Sequence, residues 1–300
     1  MNGVVLCLDA HYVWPTCVAA RSLARSWQGP EPLHLYLLCD PGVLPDSLAA
    51  LTAAAAPATV TVIQRDFTFP DMRIGYITPM GYARIVAPGL IDADRLLYLD
   101  SDMIARVSVH TLHRPIAHDY PVAAARDPYI PELGSPHVET DRFPLSGRAP
   151  SFPYFNSGLL AIDVARWRAE RLTERAAELI ANPDWRPLFG DQDTLNYLLG
   201  GRFELLDPRW NVMPVSVVQQ RLDFTYHGER YVPMPYQVDL ERAPFITHYA
   251  TEVKPWTDAF PDGMLRRRWH AVAAEAAVLI EAAGVPVPTV STTVRPADSH

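Results

Sequence analysis

Leu96-Leu97-Tyr98-Leu99-Asp100-Ser101-Asp102 is a hydrophobic run that ends abruptly in two carboxylates one residue apart. The apolar residues read as a buried strand, and the acidic pair as its tip. Toward the amino terminus the same kind of run recurs, with helical patterns between. Residues 3–8 read as a strand, 14–27 as a helix, 33–39 as a second strand and 45–56 as an alanine-rich helix opened by Pro and Asp. Residues 59–64 read as a β-branched third strand and 78–87 as a helix, before the fourth strand at 95–99. Strands alternating with helices imply parallel units joined by right-handed crossovers. In such sheets ligands bind beyond the carboxyl ends of the strands. Asp9, after the first strand, and Asp100 to Asp102, after the fourth, fall at those ends.

Downstream the pattern loosens. Residues 128–153 hold six prolines and little periodicity, and read as a long loop able to fold over a site. Residues 157–162 are strand-like and 164–180 helical. Residues 191–199 are a shorter helix that Asp191 can cap. A strand follows at 244–249 and an amphipathic terminal helix at 264–283. Beyond Gly284 the chain is mostly Pro, Thr, Ser and Val, and residues 286–300 are expected to be a disordered tail.

Composition narrows the ligand. The 300 residues are 49% hydrophobic and 20% charged, ordinary for a globular chain with a real core. The net charge is −8, and the only basic cluster is Arg266-Arg267-Arg268. Nucleic-acid binders neutralise phosphates with a basic face, which is missing here. A phosphorylated ligand would have to be met by a few placed side chains or by a metal ion. The basic cluster, followed by Trp269, reads as a solvated helix face, so membrane association is at most peripheral. The first residues read straight into a strand, so no secretory signal is expected, and no apolar run here approaches ~20 residues. Cys7, Cys17 and Cys39 read as small buried hydrophobes of a reduced, cytoplasmic protein.

Two carboxylates this close repel, and burying them unpaired is expensive. A divalent cation relieves both problems. Hard oxygen donors suit Mg²⁺ or Mn²⁺, and such an ion can neutralise a diphosphate. By itself the triplet also fits a phosphatase or phosphotransferase with Asp100 as nucleophile, or a plain solvated turn.

Further motifs change the weighting. Leu8-Asp9-Ala10-His11-Tyr12 follows the first strand, and Gly81-Tyr82-Ala83-Arg84 lies on the helix before the fourth. After the acidic tip come Tyr154-Phe155-Asn156-Ser157-Gly158-Leu159, Asp191-Gln192-Asp193-Thr194-Leu195-Asn196, and His248-Tyr249 followed by Lys254-Pro255-Trp256. In this order, over roughly residues 4–256, they resemble the family 8 retaining glycosyltransferases. That group contains glycogenin and the bacterial lipooligosaccharide galactosyltransferases. The resemblance implies an α/β fold of the GT-A type, a single domain with a Rossmann-like mixed central sheet flanked by helices. It implies one domain over 1–285, with a nucleotide-binding half (1–105) and an acceptor-side half (106–285).

Carried over position by position, the resemblance makes Asp100, Asp102 and His248 metal ligands. Imidazole as third ligand favours Mn²⁺ over Mg²⁺. Asp9, Ala10, His11, Tyr12, Arg84, Ser101, Asn156, Thr251 and Lys254 become the set that binds the UDP-sugar, with Asp9 reading the uracil and Tyr12 stacking on it. Asp191, Gln192 and Lys254 become the catalytic set. His11 stands where the family commonly has Asn, and Thr251 where it usually has Gly. Lys254 has an argument of its own, because it is the only lysine among 26 Lys and Arg residues. A compact ammonium is suited to a departing diphosphate. The activity implied is retaining transfer of glucose or galactose from UDP to a saccharide, a lipid-linked glycan or a small-molecule acceptor. Gln192 would be a poor nucleophile, which favours front-face retention over a double displacement through Asp191. A non-catalytic UDP-sugar binding protein is the remaining rival.

Overall fold

A computed structural model describes residues 2–67, 79–135, 150–185, 187–218 and 226–289. Strands β1 (Asn2–Leu8), β2 (His34–Cys39), β3 (Thr59–Gln64) and β4 (Arg95–Leu99) are joined by helices α1 (Val13–Ser26), α2 (Pro45–Ala54) and α3 (Ala83–Leu90). All four strands pair in parallel, in the order β3-β2-β1-β4. The alternation read from the sequence therefore corresponds to the first half of the sheet.

The second half inserts strands of opposite direction. After the short β5 (Met103–Ala105) come β6 (Val122–Arg126) and β7 (Phe155–Asp163), and β7 lies antiparallel between β4 and β6. Helices α4 (Val164–Ala169), α5 (Leu172–Ile180) and α6 (Gly190–Leu199) follow, then strand β8 (Glu204–Leu205), which completes a seven-stranded sheet. Helices α7 (Val215–Val218) and α8 (Met234–Arg242) precede strand β9 (Ile246–His248), and α9 (Met264–Ala282) closes the chain.

Strand side chains alternate between faces. Val4, Leu6 and Leu8 of β1, with Leu97 and Leu99 of β4, pack on one face in a core shared with Ala276 and Ile280 of α9. Val5, Leu96 and Tyr98 point to the other, toward Ile85 of α3 and Leu195 of α6. Fully buried strands of this kind are covered by helices on both sides.

Three local expectations are revised. The single helix expected over 164–180 is broken at Arg171, which adopts a left-handed conformation (φ 52°). The break lets Leu172, Ala176 and Ile180 present a separate buried stripe. Asp191 does not cap its helix: Phe189 holds that position, and the amides of Leu188 and Phe189 donate to Asp193 Oδ2 at 2.6 and 2.8 Å. The carboxylate of Asp191 is engaged elsewhere. The face expected to be solvated at 266–269 is so only in part: Trp269 is buried against Tyr249, Phe260 and Val18, while Arg266 pairs with Asp262 at 2.9 Å. Among the described residues no helix is long and apolar enough to cross a membrane. The centre of the proline-rich segment (136–149) and the tail from residue 290 lie outside the described residues.

Asn196 ties α6 to β7. Its Oδ1 accepts from Phe155 N at 3.0 Å and its Nδ2 donates to Phe155 O at 2.9 Å, so a side-chain amide replaces a strand neighbour. Asn196→Ala leaves both buried backbone groups without these partners. At ~1–3 kcal/mol for each unsatisfied group, the expected loss is about 2–4 kcal/mol. A lowered urea midpoint at unchanged m-value checks this; an unchanged midpoint contradicts it.

Candidate active site

The register of the sheet builds the site. Leu99 of β4 pairs with Leu159 of β7, and Asp100 N donates to Gly158 O at 2.8 Å, so the acidic tip lies beside Asn156, Ser157 and Gly158. The short β5 pairs antiparallel with β9, Met103 opposite His248, and Tyr249 N donates to Asp102 O at 3.1 Å. A histidine 146 positions downstream is thus carried to the strand tip by backbone pairing. Suitable ligand atoms of Asp100, Asp102 and His248 lie within 4.8 Å of one another.

The chemistry of the cluster fits a divalent cation. Asp102 Oδ1 is buried with no hydrogen-bond donor. His248 Nε2 lies 3.3 Å from it and 3.5 Å from Asp100 Oδ2. Burial opposes a charge on His248, yet Asp102 and Asp100 outweigh it and raise its pKa to about 9. The cluster favours positive charge at that point. Asp100 is pushed up by burial, but Arg84, then His248 and Tyr98, hold it well below the usual carboxylate range. On the far side of Asp102, Lys254 Nζ donates to Oδ2 at 2.5 Å and to Tyr249 O at 2.7 Å.

Arg84 connects the two ends of the site. Although it sits on a helix, it is buried. Its Nη2 meets Asp100 Oδ1 at 2.9 Å, Nε meets Asp191 Oδ2 at 3.1 Å, and Nη1 donates to the carbonyl of Ser157 at 2.8 Å. The Tyr98 ring lies 4.5 Å beneath the guanidinium, and its hydroxyl donates to Asp100 Oδ1 at 2.5 Å. Asp191, pushed up by burial, pulled down by Arg84 and raised again by Asp100, reaches a pKa of about 6.

Beyond Asp191 lies a buried amide network. Gln192 Oε1 accepts from Ser157 N at 3.0 Å and from Asn156 Nδ2 at 2.8 Å, while its Nε2 donates to Asp127 Oδ2 at 3.1 Å. Both ends of the carboxamide are occupied within the protein. Asp127, raised by burial against the pull of its four donors, was not singled out by sequence. Its signal was weak, since the apolar run Val122-Ala123-Ala124-Ala125 is followed by Arg126 before Asp127. Asn211, which holds His248 Nδ1 at 2.8 Å, has no comparable signal.

These groups line a cavity of about 630 Å³. Asp9, Tyr12, Arg84, Ser101, Asn156, Asp191, Gln192, Thr251 and Lys254 are on its wall. Ala10 and His11 are not; both are exposed on the turn that Asp9 Oδ1 caps by accepting from His11 N at 2.9 Å. Tyr12 is backed edge-on by Trp256, with ring centroids 6.2 Å apart. Ser101 Oγ donates to Cys7 O at 3.0 Å, locking the tip to β1. Thr251 Oγ1 turns to Val253 O at 3.1 Å.

Known proteins share this arrangement of chain. Galactosyltransferase LgtC, solved in complex with donor and acceptor sugar analogs, superposes with a TM-score of 0.71 at 24% identity over 91% of this chain and 95% of that one. The shared architecture is the GT-A fold. General stress protein A of Bacillus subtilis is 28% identical over 262 residues, covering 84% of this chain and 86% of that protein. Glycosyltransferase GlyF of Streptococcus pneumoniae is 30% identical over 194 residues, 65% of this chain; the matched part spans 42% of that relative's length. The profile described as glycosyl transferase family 8 matches residues 3–259, and the chain belongs to that family.

Proposed function

We propose that the chain transfers a hexose, glucose or galactose, from UDP to an acceptor hydroxyl with retention of configuration, and requires Mn²⁺, with Mg²⁺ as a weaker substitute. One observation carries this reading. Asp100, Asp102 and His248 converge where a buried carboxylate oxygen lacks a donor, with Lys254 on one side and Arg84, Asp191 and Gln192 on the other.

Asp100, Asp102 and His248 hold the cation, which when bound neutralises diphosphate charge and stabilises the departing nucleotide. Asp9 and Tyr12 take the uridine at the neighbouring strand end. Lys254 leaves its contact with Asp102 for a phosphate oxygen and adds charge as the bond breaks. Arg84 keeps Asp100 and Asp191 in fixed relation, and so fixes the distance from the diphosphate to the sugar. Asp191 holds sugar hydroxyls, and Asn156, its amide engaged by Asp127, Gln192, Gly158 and Asn211, lines the donor-sugar pocket beside it. Gln192, saturated by its neighbours, shapes the site rather than attacking carbon. Asp191 Oδ2 is likewise shared between Arg84 and Ser157 Oγ, at 3.1 and 2.8 Å, which favours front-face transfer. The same crowding argues against Asp100 as a phosphatase nucleophile, because Tyr98 and Arg84 occupy its Oδ1. Residues 1–105 form the nucleotide-binding half, completed by His248 and Lys254 from 106–285, the half that also faces the acceptor, which is a saccharide, a lipid-linked glycan or a small molecule. The buried free cysteines fit a reducing compartment, the cytoplasm.

Calorimetry with a panel of nucleotides and nucleotide sugars, with and without Mn²⁺, tests the reading. UDP and its hexose conjugates are expected to bind only with the metal, and slow UDP-sugar hydrolysis is expected without acceptor. A phospho-aspartate trapped at Asp100, or binding indifferent to base and metal, contradicts it.

Two results follow from the same geometry. With saturating Mn²⁺, Lys254→Ala lowers kcat by about 10²-fold, the cost of losing one preorganised charge in a closed site. An unchanged kcat counts against the role. Asp191, with its raised pKa, is neutral in acid and gains its charge as pH rises, so kcat/KM is expected to climb toward neutrality with an acid limb near pH 6. A cation on Asp100 removes one upward push and moves that limb lower. A profile that falls as pH rises from about 5 to 7 contradicts the assignment.

A further inference from the structure

The orientation of every amide between the sugar end and the metal cluster is fixed by two backbone donors. Gly158 N–H can only donate, and it lies 3.0 Å from one end of the Asn156 amide, which is therefore the oxygen. Ser157 N–H fixes Gln192 Oε1 in the same way at 3.0 Å, and Asn156 Nδ2 then donates to that oxygen at 2.8 Å. The two assignments agree. Asn211 presents one amide atom to Asn156 Oδ1 at 2.9 Å, and facing an oxygen it must be Nδ2. The other end of Asn211, Oδ1, is then the atom 2.8 Å from His248 Nδ1. A carbonyl oxygen accepts and cannot donate, so Nδ1 carries a proton.

We propose that Asn211 is a positioning residue that fixes His248 in the Nδ1–H form, so that Nε2 points its lone pair at a divalent cation shared with Asp100 and Asp102. The proposal rests on the metal-dependent reading above and assigns the ligand atom within it. In neutral imidazole the second nitrogen is unprotonated once Nδ1 bears hydrogen. Nε2 then faces Asp102 Oδ1, the buried oxygen without a donor, across 3.3 Å. A divalent cation between Nε2 and Oδ1 supplies the positive charge that the two carboxylates favour there, without a second proton on the ring. Backbone pairing keeps the two residues aligned: His248 N donates to Val212 O at 2.9 Å, and Val212 N to Ile246 O at 3.0 Å. Asn211 itself is 5% exposed, so no water replaces it.

The test compares Mn²⁺ binding by the whole chain and two variants, followed by calorimetry. Asn211→Leu keeps the volume and removes the acceptor; about 10–100-fold weaker Mn²⁺ binding is expected, as for lost partners behind metal-bound imidazoles. Asn211→Asp retains an oxygen on Nδ1 but turns its second oxygen on Asn156 Oδ1, so it is expected to bind Mn²⁺ more tightly than Asn211→Leu and within about tenfold of the unaltered protein. A purely structural role would weaken both alike. Nitrogen-15 imidazole spectra of the Mg²⁺-loaded protein, with His248 identified through His248→Gln, supply a second reading that needs no folded Asn211 variant. A proton on Nδ1 supports the assignment; a proton on Nε2, or unaltered Mn²⁺ affinity in Asn211→Leu, overturns it. Absence of any divalent binding by the unaltered protein removes the metal reading itself, a result separate from those two.

Discussion

Asp102→Asn is expected to abolish Mn²⁺-dependent UDP binding and to lower transfer by about three orders of magnitude, equivalent to ~4 kcal/mol of lost charge stabilisation. Both oxygens of this carboxylate have distinct tasks. Oδ2 meets Lys254 at 2.5 Å, and Oδ1 is the buried atom without a donor, 3.3 Å from His248 Nε2. A carboxamide can satisfy only one side. With its NH₂ toward Lys254, two donors oppose each other. With its NH₂ toward His248, the group occupies the cation's place and offers it no lone pair. Removing one partner of a buried ion pair also costs stability, so the variant is compared by its melting temperature alone and its binding at a temperature where it is folded. Tight, Mn²⁺-dependent UDP binding by Asp102→Asn would refute the ligand assignment.

Gly158→Ala is expected to be nearly as damaging, although it removes no functional group. A Cβ at this position would stand 2.3 Å from His248 Cε1, 2.8 Å from Asp100 Oδ2 and 2.9 Å from Asn156 Oδ1. Unbonded carbon atoms settle at about 3.5–4.0 Å, so the overlap exceeds 1 Å. The backbone cannot yield easily, since Gly158 O accepts from Asp100 N at 2.8 Å in mid-sheet. The two metal ligands must therefore move apart. A displacement of ~1 Å in a preorganised site costs on the order of 10²-fold, the expected loss in both Mn²⁺ affinity and kcat/KM. Overpacking adds a stability loss of about 1–3 kcal/mol. Calorimetric Mn²⁺ titration checks this, and affinity within twofold of the unaltered protein would mean that the cluster is not the cation site.

The glycine shows what kind of information a local reading misses. Gly158 belongs to a legible motif, but its reason for being small lies in residues 58 positions upstream and 90 downstream. Asn211 is harder still. It follows Trp210 in a short turn, and nothing within ten residues marks it as the partner of a histidine on another strand. Arg84 on its helix reads as readily as a surface residue; only the packing of α3 over the sheet turns it inward to bridge Asp100 and Asp191. The short β5, β6 and β8 are not legible in the sequence because two to five residues, several of them alanine, carry too little periodicity to separate strand from helix. The direction of β7 was equally hidden, since alternation along one strand is identical whichever way its neighbour runs.

By itself the sequence determined the parallel units of the first hundred residues, because hydrophobic periodicity is a local property that strands and helices must obey to bury one face. It also determined that Asp100 and Asp102 end a buried strand, because two charges cannot continue into the core uncompensated. Only the tertiary structure decided what compensates them. The pairing of β5 with β9 brings His248 and Lys254 to the tip, and the antiparallel β7 brings Asn156 and Gly158. These meetings depend on strand register, and register is set by the packing of the whole sheet rather than by any residue's neighbours in the chain.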